Sequence, residues 1–390
     1  MRISDRLSQL KPSATLAVNA KALELKAKGV QVISLAVGEP DFPTPSHVCE
    51  AAKKAIDEGF TRYTQVPGIP ELRTAVCGYF ATNYGVDAPM ESAIVTNGGK
   101  QALYNLFQAL LNPGDEVLVP APYWVSYPAM IELAGGVPVP VLASPEAGFL
   151  VTVEQLEAAT TPATRMLVMN SPSNPTGACY SPAQMNAIME WAMARNIFVV
   201  SDEIYDQLVY APAERVSLAP WWQKHPEKVA VVNGLAKSFA MTGWRVGYVL
   251  GHPDLIKALG KIQGQSTSNI CSIAQKAALA ALTGPMDYVQ QMLTAFHRRR
   301  DMAYDIVSSW PDVVCPKPDG AFYLFADIHR HYNAAMPDSA AACTRLLEEA
   351  QVALIPGSAF GDDKCIRFSY AVADDVLASA LEKVGKVLFG

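Results

Sequence analysis

The chain is poor in charge: of its 390 residues only 17% are Asp, Glu, Lys or Arg, against 50% hydrophobic, with a formal net charge of −6. Disordered chains have the opposite balance, so the composition specifies a well-buried globular protein. A concentrated basic surface is also missing, and a nucleic-acid footprint would need one. The densest basic run, His297–Arg300, lies in a helical pattern and reads as a solvated face. No apolar run approaches the roughly 18 residues of a spanning helix. No apolar stretch with a small-residue cleavage site opens the chain, so no secretory leader is expected. The seven cysteines contain no CxxC pair, the pattern of reduced thiols in a soluble, cytoplasmic protein. The six histidines show no HxxxH spacing; His329 and His331 fall in an expected loop, and no metal site is expected. Neither GxGxxG nor a P-loop follows a strand, which removes the usual nucleotide-binding signals.

A chain of this length exceeds what one hydrophobic core supports, so two domains are expected. Over residues 90–250, β-rich runs such as "DEVLVPAP", "RMLVMNSP", "IFVVSDE" and "VAVVNG" alternate with helical patterns. That alternation implies a largely parallel sheet with helices on both faces, whose ligand crevice lies beyond the carboxyl ends of the strands. Four strand ends carry Asn97, Asn170, Asp202 and Asn233. After residue 290 helices and short strands mix, as in a smaller α+β domain that the N-terminal segment joins.

Several motifs carry chemistry, each with a plainer alternative. "NGLAKSFAMTGWRVG" sets Lys237 among small and apolar residues, where desolvation would free a nucleophilic amine; an ordinary surface lysine is the rival. "TNGGKQALYNL" is a strand, a glycine turn and a helix start, which holds a phosphate or is only a tight turn. "NSPSNPTG" offers the Asn174 amide as a donor or is a turn. In "SDEIYDQLVY", Asp202 ends a buried strand and needs a cationic partner, whereas Glu203 and Asp206 read as solvated. "PAPYWVSYP" groups three aromatics for stacking on a flat ring or for the core. Arg367, inside the apolar "CIRFSYA", would clamp a carboxylate bidentately or serve a structural ion pair.

Taken in order, these segments resemble the fold-type I pyridoxal phosphate aminotransferases, and most of all the class I bacterial aspartate and aspartate/prephenate branch. The resemblance also covers "KPSATLAVNAKALEL", "SLAVGEPDFPTP" and "YTQVPGIPELR" and spans nearly the whole chain. It implies an α/β fold with a mostly parallel seven-stranded sheet in a large domain, expected over 45–288. A smaller α+β domain is expected over 289–390, with 1–44 joining it. It implies pyridoxal 5'-phosphate as cofactor, joined to Lys237 as a Schiff base, with the same lysine shuttling the proton. Arg245, Gly99, Lys100 and Gln101 would hold the phosphate, and Tyr63 would reach it from the second subunit of a homodimer. Asp202 would keep the pyridine nitrogen protonated. Asn174 and Tyr205 would donate to the ring oxygen, and Trp124 would stack on the ring. Arg367 would bind the substrate α-carboxylate, helped by the backbone of Gly38.

The reaction so implied is a ping-pong transfer of the amino group of L-aspartate to 2-oxoglutarate, with prephenate, giving arogenate, as a further acceptor. The alternatives on the same fold are an aromatic or alanine-type aminotransferase and a β-lyase. A non-enzymatic regulator and a dinucleotide-dependent dehydrogenase fit the motifs less well. Gly234 stands where another aspartate branch carries serine, and "GQSTSN" lacks the arginine with which that branch meets the distal carboxylate. In the branch the chain resembles, the distal acid is met around the N-terminal segment and the NGGK helix, so the resemblance implies Lys11, Ser13, Thr15 and Lys100 as its contacts.

Overall fold

The computed structural model describes residues 3–4, 7 and 14–390. Lys11 and Ser13 lie outside the described residues, as does the side chain of Thr15, whose backbone is in the helix Ala14–Ala27. A two-residue strand, β1 (Ile33–Ser34), precedes the main sheet. That sheet is built from β2 (Ala93–Thr96), β3 (Glu116–Ala121), β4 (Val137–Leu142), β5 (Thr164–Asn170), β6 (Phe198–Asp202), β7 (Val229–Gly234) and β8 (Gly247–Leu250). Its spatial order is β2-β8-β7-β6-β5-β3-β4. All pairings are parallel except those of β8, which runs antiparallel to both β2 and β7. The seven-stranded, mostly parallel sheet of the α/β expectation is thus present.

Alternation along each strand explains the layering. In β7, Val229 and Val231 enter one apolar core while Ala230 and Val232 enter the other. β7 is buried throughout, which is why it reads as a continuous hydrophobic run rather than an alternating one. Hydrophobic burial on both faces is worth roughly 25 cal/mol per Å² of apolar surface, enough to fix the register of such strands.

Beyond the sheet, β9 (Tyr323–Asp327), β10 (Val352–Ala353), β11 (Ile355–Pro356) and β12 (Cys365–Ser369) form smaller pieces. A three-stranded antiparallel sheet has the order β11-β12-β9, and β10 pairs with β1. The N-terminal segment is stitched to this region, with Leu35 N–H donating to Ala353 O and Ser369 N–H donating to Leu35 O.

Two readings of charge are corrected here. The His297–Arg300 run is a solvated face only in part, at the exposed Arg298 and half-buried His297. Arg299 and Arg300 are 7% and 5% exposed; Arg299 holds Asp41 bidentately at 2.7 and 2.9 Å and Asp374 at 2.9 Å, while Arg300 pairs with Asp301. The 22-residue helix Asp287–Ser308 turns these two arginines inward, Arg299 onto Asp41 of the N-terminal segment and Arg300 onto Pro318 O and the Tyr210 ring. Glu203 and Asp206 are buried too, at 1% and 2% exposure. Glu203 accepts from the Ser201 and Ser217 hydroxyls and Leu218 N–H, and burial pushes its carboxyl up to about 7. Asp206 accepts from the Tyr79 and Tyr84 phenols. Such donors replace water for a buried carboxyl group without any cation.

Candidate active site

Strand ends and the segments after them meet around one cavity of about 310 Å³. β5 and β6 end in register, Asn170 opposite Asp202, and Asn170 Nδ2 donates to Asp202 O at 2.9 Å. Lys237, Lys100, Arg245 and Arg367 line the same cavity, and Asp202 is its one acid among the described residues. Four cations against one carboxylate make a pocket for a ligand of several negative charges. A larger groove, about 930 Å³, lies outside between the helix Asp287–Ser308 and Tyr210–Arg215, and none of the expected site residues lines it.

Lys237 is reached by a turn that follows β7. Its Nζ donates to Gly38 O and lies 5.8 and 5.9 Å from the ring centroids of Tyr205 and Phe322. No carboxylate approaches it within 4 Å among the described residues. Burial therefore dominates and lowers the amine to about 8, assisted by Arg367 and Arg245 and opposed by Glu39 and Asp202. At that value roughly a tenth of the amine is the neutral nucleophile at pH 7, against well under a thousandth for an ordinary lysine.

Asp202 has no ion pair among the described residues. Tyr127 donates its phenol to Oδ2 at 2.7 Å and Ile204 N–H donates to Oδ1 at 3.3 Å, while burial raises the carboxyl to about 6. The cationic partner expected for this carboxylate is thus replaced by a phenol and a backbone donor. A positive group entering the cavity would return the carboxyl to its ionised form.

The phosphate-like end is built from backbone. Gly98, at φ +80°, starts the helix Gly99–Leu110, whose first N–H groups have no intrahelical acceptor. Gln101 and Ala102 N–H return to Gly98 O, leaving those of Gly99 and Lys100. The Gln101 side chain is committed elsewhere, accepting from Asn97 N–H and donating to Thr267, and it does not line the cavity. Arg245 has φ +56°, an uncommon conformation for a bulky residue, and that turn folds its guanidinium back over Gly98. It donates to Thr242 O at 3.0 Å and Asn97 O at 3.3 Å, with further N–H groups left for a ligand. A Cβ on Gly98 would sit 2.6 Å from that guanidinium, and one on Gly247 would collide with the Gly98–Gly99 backbone. Bare backbone is needed for this close approach. Gly234 is equally constrained, since a Cβ there would meet Val246 O at 2.8 Å, which accounts for the absent serine.

At the other end Arg367, from β12, is 3% exposed and has no carboxylate partner among the described residues. It donates to Asn174 Oδ1 at 2.8 Å and Ala36 O at 2.6 Å, and its guanidinium lies 4.5 Å from the Tyr323 ring centroid. Its Nε is buried and unsatisfied, so among the described residues the structural ion pair weighed against a ligand clamp is not formed. Trp124 lines the cavity wall with Lys100 Nζ 5.0 Å from its ring and Tyr127 edge-on to it. Tyr205 is fully buried with its hydroxyl 2.8 Å from that of Tyr323. Tyr63 is 91% exposed and does not line the cavity of its own chain.

Most of the expected residues among those described thus converge and Gln101 does not, while Tyr63 was expected at a partner's site rather than its own. Sequence reasoning missed Tyr127 and Tyr323 as site residues. Tyr127 lay within the aromatic cluster already singled out, three positions from Trp124; Tyr323 is one of five consecutive buried strand residues and gave no signal.

The arrangement can hold a phosphate at a helix start, a carbonyl group at an activated amine, a protonated ring nitrogen at Asp202 and a carboxylate at Arg367. The family described as "Aminotransferase class I and II" matches residues 30–384. An aspartate/prephenate aminotransferase of Cereibacter sphaeroides is 47% identical over 98% of this chain and 97% of its own. An aspartate aminotransferase of Geobacillus stearothermophilus is 46% identical over 100% of this chain and 99% of its own. Among solved structures, aspartate aminotransferase from Thermus thermophilus with maleate superposes at a TM-score of 0.94, with 46% identity over 99% of this chain and 100% of that one.

Proposed function

This chain belongs to the class I and II aminotransferases, and on that premise we propose that it moves the amino group of L-aspartate to 2-oxoglutarate in two half-reactions at one cavity. Prephenate is the further acceptor in this reading. The family uses pyridoxal 5'-phosphate, and the residues present fit it. The Gly99–Lys100 N–H groups and Arg245 suit its phosphate, Trp124 its ring face, Asp202 its ring nitrogen, Asn174 and Tyr205 its ring oxygen, and Lys237 its carbonyl. When bound, the cofactor supplies a carrier for the amino group and a sink for the electrons left at the substrate α-carbon.

The observation that carries the proposal is Arg367, a buried guanidinium with an unsatisfied Nε and no acid partner among the described residues, in one cavity with the activated amine of Lys237. Arg367 orients the substrate through its α-carboxylate. Lys237 Nζ, uncharged, takes the proton from the substrate α-carbon and returns one in the reverse half-reaction. Asp202, ionised, holds a proton on the ring nitrogen. Burial strengthens each of these charge interactions.

The second substrate carboxylate is supported by charge. With the cofactor phosphate opposite Arg245, Lys100 is a cation of the cavity left for a distal acid, together with Lys11, Ser13 and Thr15 of the N-terminal segment. The relatives named aspartate aminotransferase point the same way. In this reading two chains form a homodimer in which the exposed Tyr63 serves the partner's phosphate, each chain having a large unit at 45–288 and a small one at 289–390 joined by 1–44. The seven unpaired thiols, and the absence among the described residues of a helix long and apolar enough to cross a membrane, suit the cytoplasm.

The test is an absorbance titration of the purified, cofactor-loaded protein with single amino acids and no keto acid. Faster spectral conversion by aspartate and glutamate than by alanine or phenylalanine supports the dicarboxylate reading, and conversion by arogenate adds prephenate. Preference for alanine or phenylalanine overturns the assignment of Lys11, Ser13, Thr15 and Lys100. Absence of any cofactor absorbance after loading overturns the whole reading.

A further inference from the structure

The hydroxyls of Tyr205 and Tyr323 lie 2.8 Å apart, both rings are buried, and the two residues come from different parts of the fold. Tyr205 follows β6 of the large sheet, and Tyr323 begins β9 of the small one, where it pairs with Ser369 of β12. A phenol has one proton to give and lone pairs to accept with. A Tyr205 that donates its proton to a ligand keeps an oxygen that only a second donor can satisfy, and Tyr323 is the donor within reach. Chains of hydrogen bonds polarise one another, so a donor to the Tyr205 oxygen makes Tyr205 the stronger donor in turn.

The Tyr323 ring has two further contacts. The Arg367 guanidinium stands 4.5 Å from its centroid, a cation–π distance, and that arginine is fixed in the plane by Asn174 and Ala36. Its hydroxyl also packs against Gly38, whose carbonyl accepts from Lys237; any Cβ at position 38 would collide with it. Core packing alone would place a phenylalanine here as readily, since the neighbouring Phe322 and Phe325 are equally buried.

We propose that Tyr323 is a positioning residue of the transamination site, which strengthens Tyr205 as a donor to the cofactor ring oxygen and holds the Arg367 plane for the substrate carboxylate. The proposal rests on the reading of Tyr205 as that donor.

The two roles separate by substitution. Tyr323→Phe keeps the ring beneath Arg367 and removes only the hydroxyl, whereas Tyr323→Leu removes both. The readout is the pH titration of the bound cofactor's absorbance in the substrate-free, loaded enzyme. A weaker donor stabilises the electron-rich, deprotonated form less, so the midpoint in Tyr323→Phe moves up by about half a unit or more. Its KM for the amino donor stays within about twofold of the wild type, while Tyr323→Leu raises KM at least tenfold. Tyr205→Phe moves the midpoint in the same direction and further, and adding Tyr323→Phe to it produces no additional shift. A Tyr323→Phe titration that superimposes on the wild type overturns the proposal, as does an additive double variant. A Tyr205→Phe titration identical to the wild type overturns the reading of Tyr205 itself, and the proposal with it.

Discussion

Arg367 donates through one guanidinium N–H to Asn174 Oδ1 at 2.8 Å, joining β12 of the small sheet to the loop after β5 of the large one. The bond fixes which way the Asn174 amide faces. With its oxygen turned to the arginine, its NH₂ group is the part available to a ligand, as a donor to a ring oxygen must be. One residue thereby orients the cofactor and aims the clamp for the substrate.

Asn174→Asp reverses that logic. A carboxylate at this position would pair with Arg367 and occupy the guanidinium that should receive the substrate. A buried, charge-assisted interaction of this kind is worth roughly 2–5 kcal/mol, so kcat/KM for aspartate should fall by about a hundredfold or more, mostly through KM. Steady-state kinetics on the loaded variant check this. An unchanged KM would mean that Arg367 does not bind the α-carboxylate.

Lys237→Ala removes the amine and leaves the rest of the cavity. The backbone donors at Gly99 and Lys100, with Arg245 and Asp202, do not depend on it, so the cofactor should still bind, without its covalent link. Turnover should drop by about 10⁴-fold or more, because the proton at the substrate α-carbon has lost its acceptor along with the covalent anchor. Substantial steady-state transamination by a verified variant would remove Lys237 from the mechanism.

The legible part of the protein is the part where local chemistry and burial agree. β6 and β7 could be read because runs such as "IFVV" and "VAVV" are apolar on both faces and end in polar residues. The turn glycines at 98 and 99 could be read because a helix start that meets a ligand needs bare backbone. Glu203, Asp206, Arg299 and Arg300 read as solvated because a charged residue is taken as exposed unless its burial shows in the local pattern. For Asp206 and Arg299 the partners Tyr79 and Asp41 are far along the chain, while Glu203 and Arg300 have near partners in Ser201 and Asp301 but also reach Ser217 and Pro318 O, and nothing in the local pattern shows that these side chains are buried. Tyr323 was silent because a buried strand gives each side chain the same apolar signature whether it packs or hydrogen-bonds.

Cofactor-free protein should show two opposed pH signatures. The Lys237 amine, near 10.5 when unfolded and about 8 when folded, binds fewer protons in the folded state between those values. Unfolding then takes up a proton, so this residue makes stability rise with pH from about 8 to about 10.5. Asp202, near 3.8 unfolded and about 6 folded, binds more protons when folded, so its contribution falls as pH rises from about 4 to about 6. Thermal melts of the apo wild type against Lys237→Met should change in favour of the wild type across the upper window. Against Asp202→Asn they should change in favour of the variant across the lower one. Flat differences in both windows would mean that the two groups are not buried as described.

Gly247 tests the phosphate cradle without touching a charged residue. It sits in β8 opposite Thr96 of β2, and its Cα faces the peptide between Gly98 and Gly99 so closely that no side chain fits between them. An alanine there has to push the helix start away from Arg245, because β8 is held on both sides by β2 and β7 and cannot yield. Overpacking of this sort costs roughly 1–3 kcal/mol, and the displaced N–H groups lose part of their geometry toward a phosphate. Gly247→Ala should therefore bind pyridoxal phosphate about tenfold to a hundredfold more weakly, measured by equilibrium titration of the apo protein. A pyridoxal analogue lacking the phosphate should lose far less affinity. Equal losses for both ligands would place the damage in the fold rather than in the phosphate site.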